Sequence, residues 1–241
     1  GLFIIFIISC VDDSEHGPYG SDNINPGPVT INEVVNTPGG AIIYFTPPSD
    51  EDLLYVKAAF QDENEIERQV IVSSVIDSLN IVGFAEEGTY PVDVIAVDRG
   101  ENESIPTTVN ISPLEAPIHA ILNSMVGNDD FGGINISYEN PTRAEVSLNL
   151  STIDQDGNLV FRESFYTSQA SSSYSFRGYD SVPTTFVIYV EDKWGNQTTT
   201  RSFEITPLED IFLDKEFWAI ESMPGDESFS EYGFTANQIW D

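Results

Sequence analysis

The chain has 241 residues, 40% of them hydrophobic, which is enough for real cores and excludes a disordered polymer. Asp and Glu number 40 against 9 Lys and Arg, a formal net charge of -31, so the cationic footprint that nucleic acid or an anionic membrane surface requires is missing. Cys10 stands alone, which excludes an internal disulfide and requires cores that are stable without one. A neutral sugar polymer or a basic protein remains compatible with that charge. The apolar residues are rich in Ile, Val, Phe and Tyr, which suit strands, and 17 Gly with 14 Pro predict many turns.

Residues Leu2 to Ile8 read Leu-Phe-Ile-Ile-Phe-Ile-Ile. The run is too short to span a bilayer, which needs about 20 residues, and suits the apolar core of a secretory signal peptide. No initiator Met or basic stretch precedes it, so residues 1–9 are read as a partial signal peptide. Ile7-Ile8-Ser9-Cys10 resembles the bacterial lipobox. That resemblance implies cleavage before Cys10 and diacylation of its thiol, with acyl chains supplying about 0.8 kcal/mol per buried CH2. Val11-Asp12-Asp13-Ser14-Glu15 resembles the surface-export signal of Bacteroidetes lipoproteins, which implies an outer-membrane, cell-surface location. Residues 10–28 are the lipidated cysteine and a flexible linker, without periodicity from His16 onward.

The body of the chain contains a repeat at a spacing of about 94 residues. Gly39-Gly40-Ala41-Ile42-Ile43-Tyr44-Phe45 returns as Gly132-Gly133-Ile134-Asn135-Ile136-Ser137-Tyr138. Val94-Ile95-Ala96-Val97-Asp98-Arg99-Gly100 returns as Ile188-Tyr189-Val190-Glu191-Asp192-Lys193-Trp194-Gly195, and Ser112-Pro113-Leu114-Glu115 as Thr206-Pro207-Leu208-Glu209. A period this long means tandem domains. Within the copies, inward sets alternate with polar residues: Ala41, Ile43, Phe45; Leu54, Val56, Ala58, Phe60; Val92, Val94, Ala96; then Ile134, Ile136, Tyr138; Val146, Leu148, Leu150; Phe186, Ile188, Val190. Ile42 and Tyr44 fall on the outward face. About seven short strands per copy predict an all-β pair of two-sheet sandwiches.

Residues 41–57 resemble the second and third strands of a fibronectin type III domain, and residues 89–100 its sixth strand and following loop. The resemblance implies a tyrosine corner at Tyr90 and core positions for Phe45 and Tyr138, where the family usually carries Trp. Thr184 stands where a second corner tyrosine is expected. It implies one Ig/fibronectin type III-like sandwich over 29–115 and a second over 116–208. Lipobox, acidic tether and paired sandwiches together resemble Bacteroidetes surface lipoproteins of starch-utilisation-type (SusC/SusD-like) glycan uptake loci. Members often carry a discoidin-like (F5/8 type C, galactose-binding-like) sandwich next. Residues 209–241, with Trp218 and Trp240, fit its truncated start, since about 30 residues cannot bury a sandwich core of their own.

Catalytic residues are not expected, and neither is a cofactor. The two histidines are His16 in the linker and His119 in Pro117-Ile118-His119-Ala120-Ile121, an alternating stretch read as a strand. No Gly-x-Ser-x-Gly elbow occurs. Asp154-Gln155-Asp156-Gly157-Asn158 fails the calcium-loop pattern at Leu159 and Phe165, so it is read as a hairpin turn, and Asn128-Asp129-Asp130-Phe131-Gly132 likewise as a turn before a strand. Asp77-Ser78-Leu79 and Asp180-Ser181-Val182 are short matches to the Bacteroidetes O-glycosylation pattern. For sugar stacking the best candidate is Trp194, in the polar loop Asp192–Asn196; packing against the neighbouring module is the competing reading. The expected function is a non-catalytic lipoprotein that binds glycan or acts as a spacer in polysaccharide uptake. Its expected partners are the outer membrane through its anchor, neutral polysaccharide and a TonB-dependent importer complex. Alternatives are an adhesion or assembly lipoprotein and the non-catalytic front of a larger glycan-active enzyme.

Overall fold

A computed structural model describes residues 24–211. Cys10, the acidic stretch after it and the aromatic residues expected to open a third sandwich lie outside them. The described residues form an all-β fold of two fibronectin type III/Ig-like sandwiches. In the first, β1 (Thr30–Thr37), β2 (Gly40–Thr46) and β5 (Ser78–Val82) make one sheet. The sheet facing it has the order β4 (Glu67–Ser73), β3 (Leu53–Gln61), β6 (Tyr90–Asp98) and β7 (Thr107–Ile111). Helix α1 (Pro117–Ser124) opens the second. There β8 (Val126–Asp130), β9 (Gly133–Glu139) and β12 (Ser171–Arg177) form the smaller sheet, with β9 in the middle. The larger one has the order β11 (Leu159–Thr167), β10 (Val146–Ile153), β13 (Thr184–Asp192) and β14 (Arg201–Ile205). All named pairings are antiparallel.

Each sandwich has its own core. Ala41, Ile43, Phe45, Val56, Ala58, Phe60, Val92, Val94 and Ala96 are buried together in the first. Ile134, Ile136, Tyr138, Val146, Leu148, Leu150, Phe186, Ile188 and Val190 are buried together in the second. The period-two alternation read from sequence therefore marks the inward faces. Phe45 and Tyr138 are both buried, and the Tyr138 hydroxyl is 2.6 Å from the Thr167 hydroxyl, which satisfies its polar end. Tyr90 forms the corner: its hydroxyl donates to the Glu86 carbonyl at 3.1 Å while its ring packs 4.4 Å from Phe84. In the second sandwich Thr184 donates to the Val182 carbonyl instead, and Tyr179 packs edge-on against Phe186.

Three local readings need correction. Pro117–Ile121 is helical, not a strand: Pro117 starts α1, and Ile118, Ile121 and Leu122 are its buried residues. That spacing is helical, and five residues were too few to separate it from alternation. Its apolar side closes one end of the second core. Leu54 does not point inward. A bulge between Leu53 and Tyr55 shifts the pairing, so Leu53 packs on the core and Leu54 is 44% exposed. Asn128–Asp130 belongs to β8, and only Phe131-Gly132 turns the chain into β9.

Candidate functional site

The two sandwiches meet through two loops. Gly83 and Phe84 follow β5 of the first sandwich, and Asp192–Asn196 follows β13 of the second. Asp192 shapes its loop by accepting hydrogen bonds from the Trp194 and Asn196 amides at 2.9 and 3.0 Å and from the Asn196 side chain at 2.9 Å. The repeat uses the same device at Asp98, which accepts from the Asn102 amide and side chain, each at 2.9 Å. Burial by itself raises the Asp98 carboxyl, but the Asn102 and Gly100 donors outweigh it and hold it below the usual carboxylate range. The Asn196 side chain also donates to the Gly83 carbonyl at 3.0 Å, and the His119 ring lies 3.2 Å from the Ala85 carbonyl. A Cβ placed on Gly83 would stand 3.3 Å from the Trp194 indole, so the ring lies on that glycine. Trp194 therefore does pack against the neighbouring sandwich, and His119 bridges the two.

Beside this junction an open groove of about 1020 Å³ runs over the outer face of the larger sheet of the second sandwich. Strand alternation builds it. Because Val146, Leu148 and Leu150 face the core, Ser147 and Asn149 lie on the other face of β10 at the bottom of the groove, where they are only 7% and 5% exposed. Asn149 donates to the Ser147 hydroxyl at 2.9 Å and accepts from Ser164 of β11 at 2.6 Å, a small hydroxyl–amide patch. Tyr166, opposite Ser147 in the β10–β11 register, stands 77% exposed at one side. Trp194 and Lys193 stand at the other, with the Lys193 ammonium 4.9 Å from the indole centre and 2.9 Å from Glu145. Glu145, Glu191 and Asp192 line the same groove against the single cation Lys193.

An exposed phenol, an indole wall and a floor of hydroxyl and amide groups can stack on and hydrogen-bond a polyhydroxylated ligand. The carboxylates disfavour an anionic one. Of these residues sequence reasoning singled out Trp194 alone. Ser147 and Asn149 were visible as the residues between the inward Val146, Leu148 and Leu150, but Tyr166 was not singled out, and its place opposite Ser147 is set by pairing order, which is not written in the alternation. The corresponding sheet of the first sandwich carries a smaller groove, about 650 Å³, lined by Gln61, Gln69, Arg68, Pro91 and Asp93 with no Trp or Tyr in its wall, and β3 presents Lys57 outward, bridged to Glu103 at 2.6 Å.

The acidic turns are internally satisfied. Asp154 is held below the usual range mainly by the Asn158 amide and side chain, with Asp156 and Gly157 adding donors. Asp130 is lowered by Ser175, the Phe131 amide and Arg177. Among the described residues, no group of three or more His, Cys, Asp or Glu could hold a metal ion. No helix among them is long and apolar enough to cross a membrane. Leu79 is buried in β5, whereas Asp180-Ser181-Val182 is exposed.

Two family models match in tandem: a domain of unknown function (DUF4959) over residues 26–113 and another (DUF5126) over residues 114–216. They meet beside Leu114, whose backbone pairs with Thr37 and Gly39 at the end of the first sandwich. No curated protein matches the chain. Among solved structures, the SusE-like protein BT2857 is similar at 27% identity over 40% of this chain and 34% of that one, with a TM-score of 0.33. The match thus spans about a third of that protein's length. The two fibronectin type III domain segment of chicken tenascin is similar at 13% identity over 76% of this chain and 99% of that one, TM-score 0.31. The FN1–FN3 domains of chicken CNTN1 are similar at 15% identity, with 76% and 65% coverage and a TM-score of 0.30.

Proposed function

We propose that the chain is a non-catalytic, lipid-anchored surface component of a polysaccharide-uptake system, and that the groove on its second sandwich holds a neutral glycan. The observation that carries this reading is exposed Tyr166 standing across from Trp194 over the Ser147–Asn149–Ser164 patch. The faces of sugar rings are apolar and their edges polar, so an aromatic wall over amide and hydroxyl groups matches both. The carboxylates of Glu145, Glu191 and Asp192 favour a neutral chain over a uronate or sulfated one. The open trough suits a polymer lying along it better than a small molecule that must be enclosed. Anchoring at Cys10 would keep the groove near the outer membrane, where a TonB-dependent importer complex would receive the glycan. Affinity electrophoresis of the chain through gels of neutral and acidic polysaccharides tests this. Retardation by at least one neutral glycan, reduced in Tyr166→Ala, is expected. Free migration through every neutral gel, or retardation that Tyr166→Ala leaves intact, removes the reading.

A further inference from the structure

The groove does not end at Trp194. A second space, a crevice of about 460 Å³ walled by both sandwiches, opens beside the same indole. Glu145, Ser168, Asp192, Lys193 and Trp194 line groove and crevice alike, so the two meet along one rim. Pro38, Gly83 and Phe84 of the first sandwich line the crevice alone.

Arg143 also lines the crevice and not the groove. The loop that carries it is tied down by Asn140, which is fully buried. The Asn140 amide donates to the Ala170 carbonyl at 2.6 Å, and its side chain donates to the Ala144 carbonyl at 2.9 Å. The same side chain accepts from the Ala144 amide at 3.0 Å and the Thr142 hydroxyl at 3.2 Å. Within this turn the Arg143 amide donates to the Asn140 carbonyl at 2.9 Å, and Arg143 holds a φ of 54°. A side-chain-bearing residue keeps that left-handed conformation only where its surroundings impose it. Arg143 is exposed, and its guanidinium has no hydrogen-bond or ion-pair partner among the described residues. Arg68, Arg177 and Lys193, by contrast, each reach a carboxylate. Arg143 and Lys193 balance Glu145 and Asp192, so the crevice carries no net formal charge.

We propose that a neutral glycan lying in the groove continues past Trp194 into this crevice, where Arg143 binds hydroxyls of its next sugar units. The proposal rests on the reading of the groove as a glycan site. A guanidinium is a planar fork of donors with no acceptor, which fits the oxygens of two adjacent hydroxyls. Its turn is already fixed, so little ordering is required when a ligand arrives. Pro38 gives the sugars an apolar surface from the first sandwich. A glycan long enough to cross the rim touches both sandwiches, whereas a short one touches the second alone. Affinity should therefore rise with glycan length, and Arg143 should carry that rise.

Titration calorimetry of the full chain with neutral malto-, cello-, manno- and xylo-oligosaccharides, from the trisaccharide to the hexasaccharide, tests this. In a series that binds, the hexasaccharide is expected to bind at least about fivefold more tightly than the trisaccharide. Arg143→Ala should abolish that gain and leave trisaccharide affinity unchanged. Arg143→Gly, which suits the positive φ, should do the same, whereas Tyr166→Ala should weaken every length. Binding that depends on Tyr166 but does not tighten with length overturns this proposal alone. So does a gain that survives in either Arg143 variant, or a loss in those variants that is equal at all lengths. Binding of none of the oligosaccharides overturns it together with the groove reading.

Discussion

The Trp194 indole lies on Gly83, two residues that belong to different sandwiches and are separated by more than a hundred positions. A Cβ on Gly83 would stand 3.3 Å from the ring and push it by a few tenths of an ångström, and the φ of 105° at that position favours glycine as well. The contact joins the Asn196–Gly83 hydrogen bond and the His119–Ala85 contact in one junction. Trp194→Ala should remove the apolar part of that junction at a cost of about 1–2 kcal/mol, given that the ring is half-buried. Calorimetry should show the thermal transition fall by about 5 °C and broaden as the sandwiches unfold less cooperatively. Small-angle scattering should show a wider spread of inter-sandwich angles. An unchanged transition together with an unchanged scattering curve would mean that the indole contact does not couple the two bodies.

Tyr166 separates binding from stability. Its side chain is mostly in water, so Tyr166→Ala should alter stability by no more than about 0.5 kcal/mol. Loss of one aromatic stacking partner should nevertheless weaken a retarding glycan by about 1 kcal/mol, roughly fivefold in Kd by calorimetric titration. Trp194→Ala should affect both properties, because that residue lines the groove and the junction together.

The repeat and the inward faces were legible because each is a local pattern, alternation or a motif returning at a fixed distance, whereas the corner at Tyr90 came from the resemblance to a fibronectin type III domain, and its acceptor, the Glu86 carbonyl, is seen only in the structure. Helix α1 was not, since Pro117–Ile121 satisfies both periods over so short a stretch. Nor was Leu54, because a one-residue bulge between Leu53 and Tyr55 turns Leu53 inward and Leu54 outward while Val56, Ala58 and Phe60 keep the alternation read from sequence. The groove was only half legible. Trp194 announced itself as a large aromatic in a polar loop, whereas Tyr166 and Asn149 meet through strand pairing and register, which alternation alone leaves open.

Asp62 predicts an acid limb to stability. Its buried carboxylate accepts from the Asn64 amide at 2.9 Å, the Ile66 amide at 3.0 Å and the Arg68 side chain at 2.8 Å. Burial raises its pKa, but the Ile66, Arg68 and Asn64 donors and the Arg68 charge outweigh burial, so the folded value lies below the ordinary one. A depressed folded value means the contribution is complete above the unfolded pKa and is lost as pH falls through the folded one. Asp62→Ala should therefore cost about 2 kcal/mol in urea titrations at pH 7, with parent and variant converging once the pH falls through the lowered folded value, below the ordinary carboxylate range. A gap that persists unchanged at that pH would show that the ionised carboxylate is not what the site needs.

Gly40 and Gly133, the second glycine of each repeated pair, make the sharpest test that the chain is two bodies. A Cβ on Gly40 would overlap the Ile81 carbonyl, and one on Gly133 the Phe176 carbonyl. Those carbonyls belong to neighbouring strands β5 and β12 and cannot rotate away as a side chain could. Alanine must therefore push two paired strands apart, at a cost of about 3 kcal/mol. The damage should stay local: Gly40→Ala should collapse amide resonances from residues 29–111 at lower urea while those of 126–205 persist, and Gly133→Ala should do the reverse. Gly157→Ala is the control, because open space surrounds that turn residue and only its positive φ of 84° opposes a side chain. It should cost about 1 kcal/mol. If either pair-glycine variant unfolded both halves at one urea concentration, the two cores could not be independent, and the junction at Trp194 would have to bear far more of the stability than a single half-buried indole can supply.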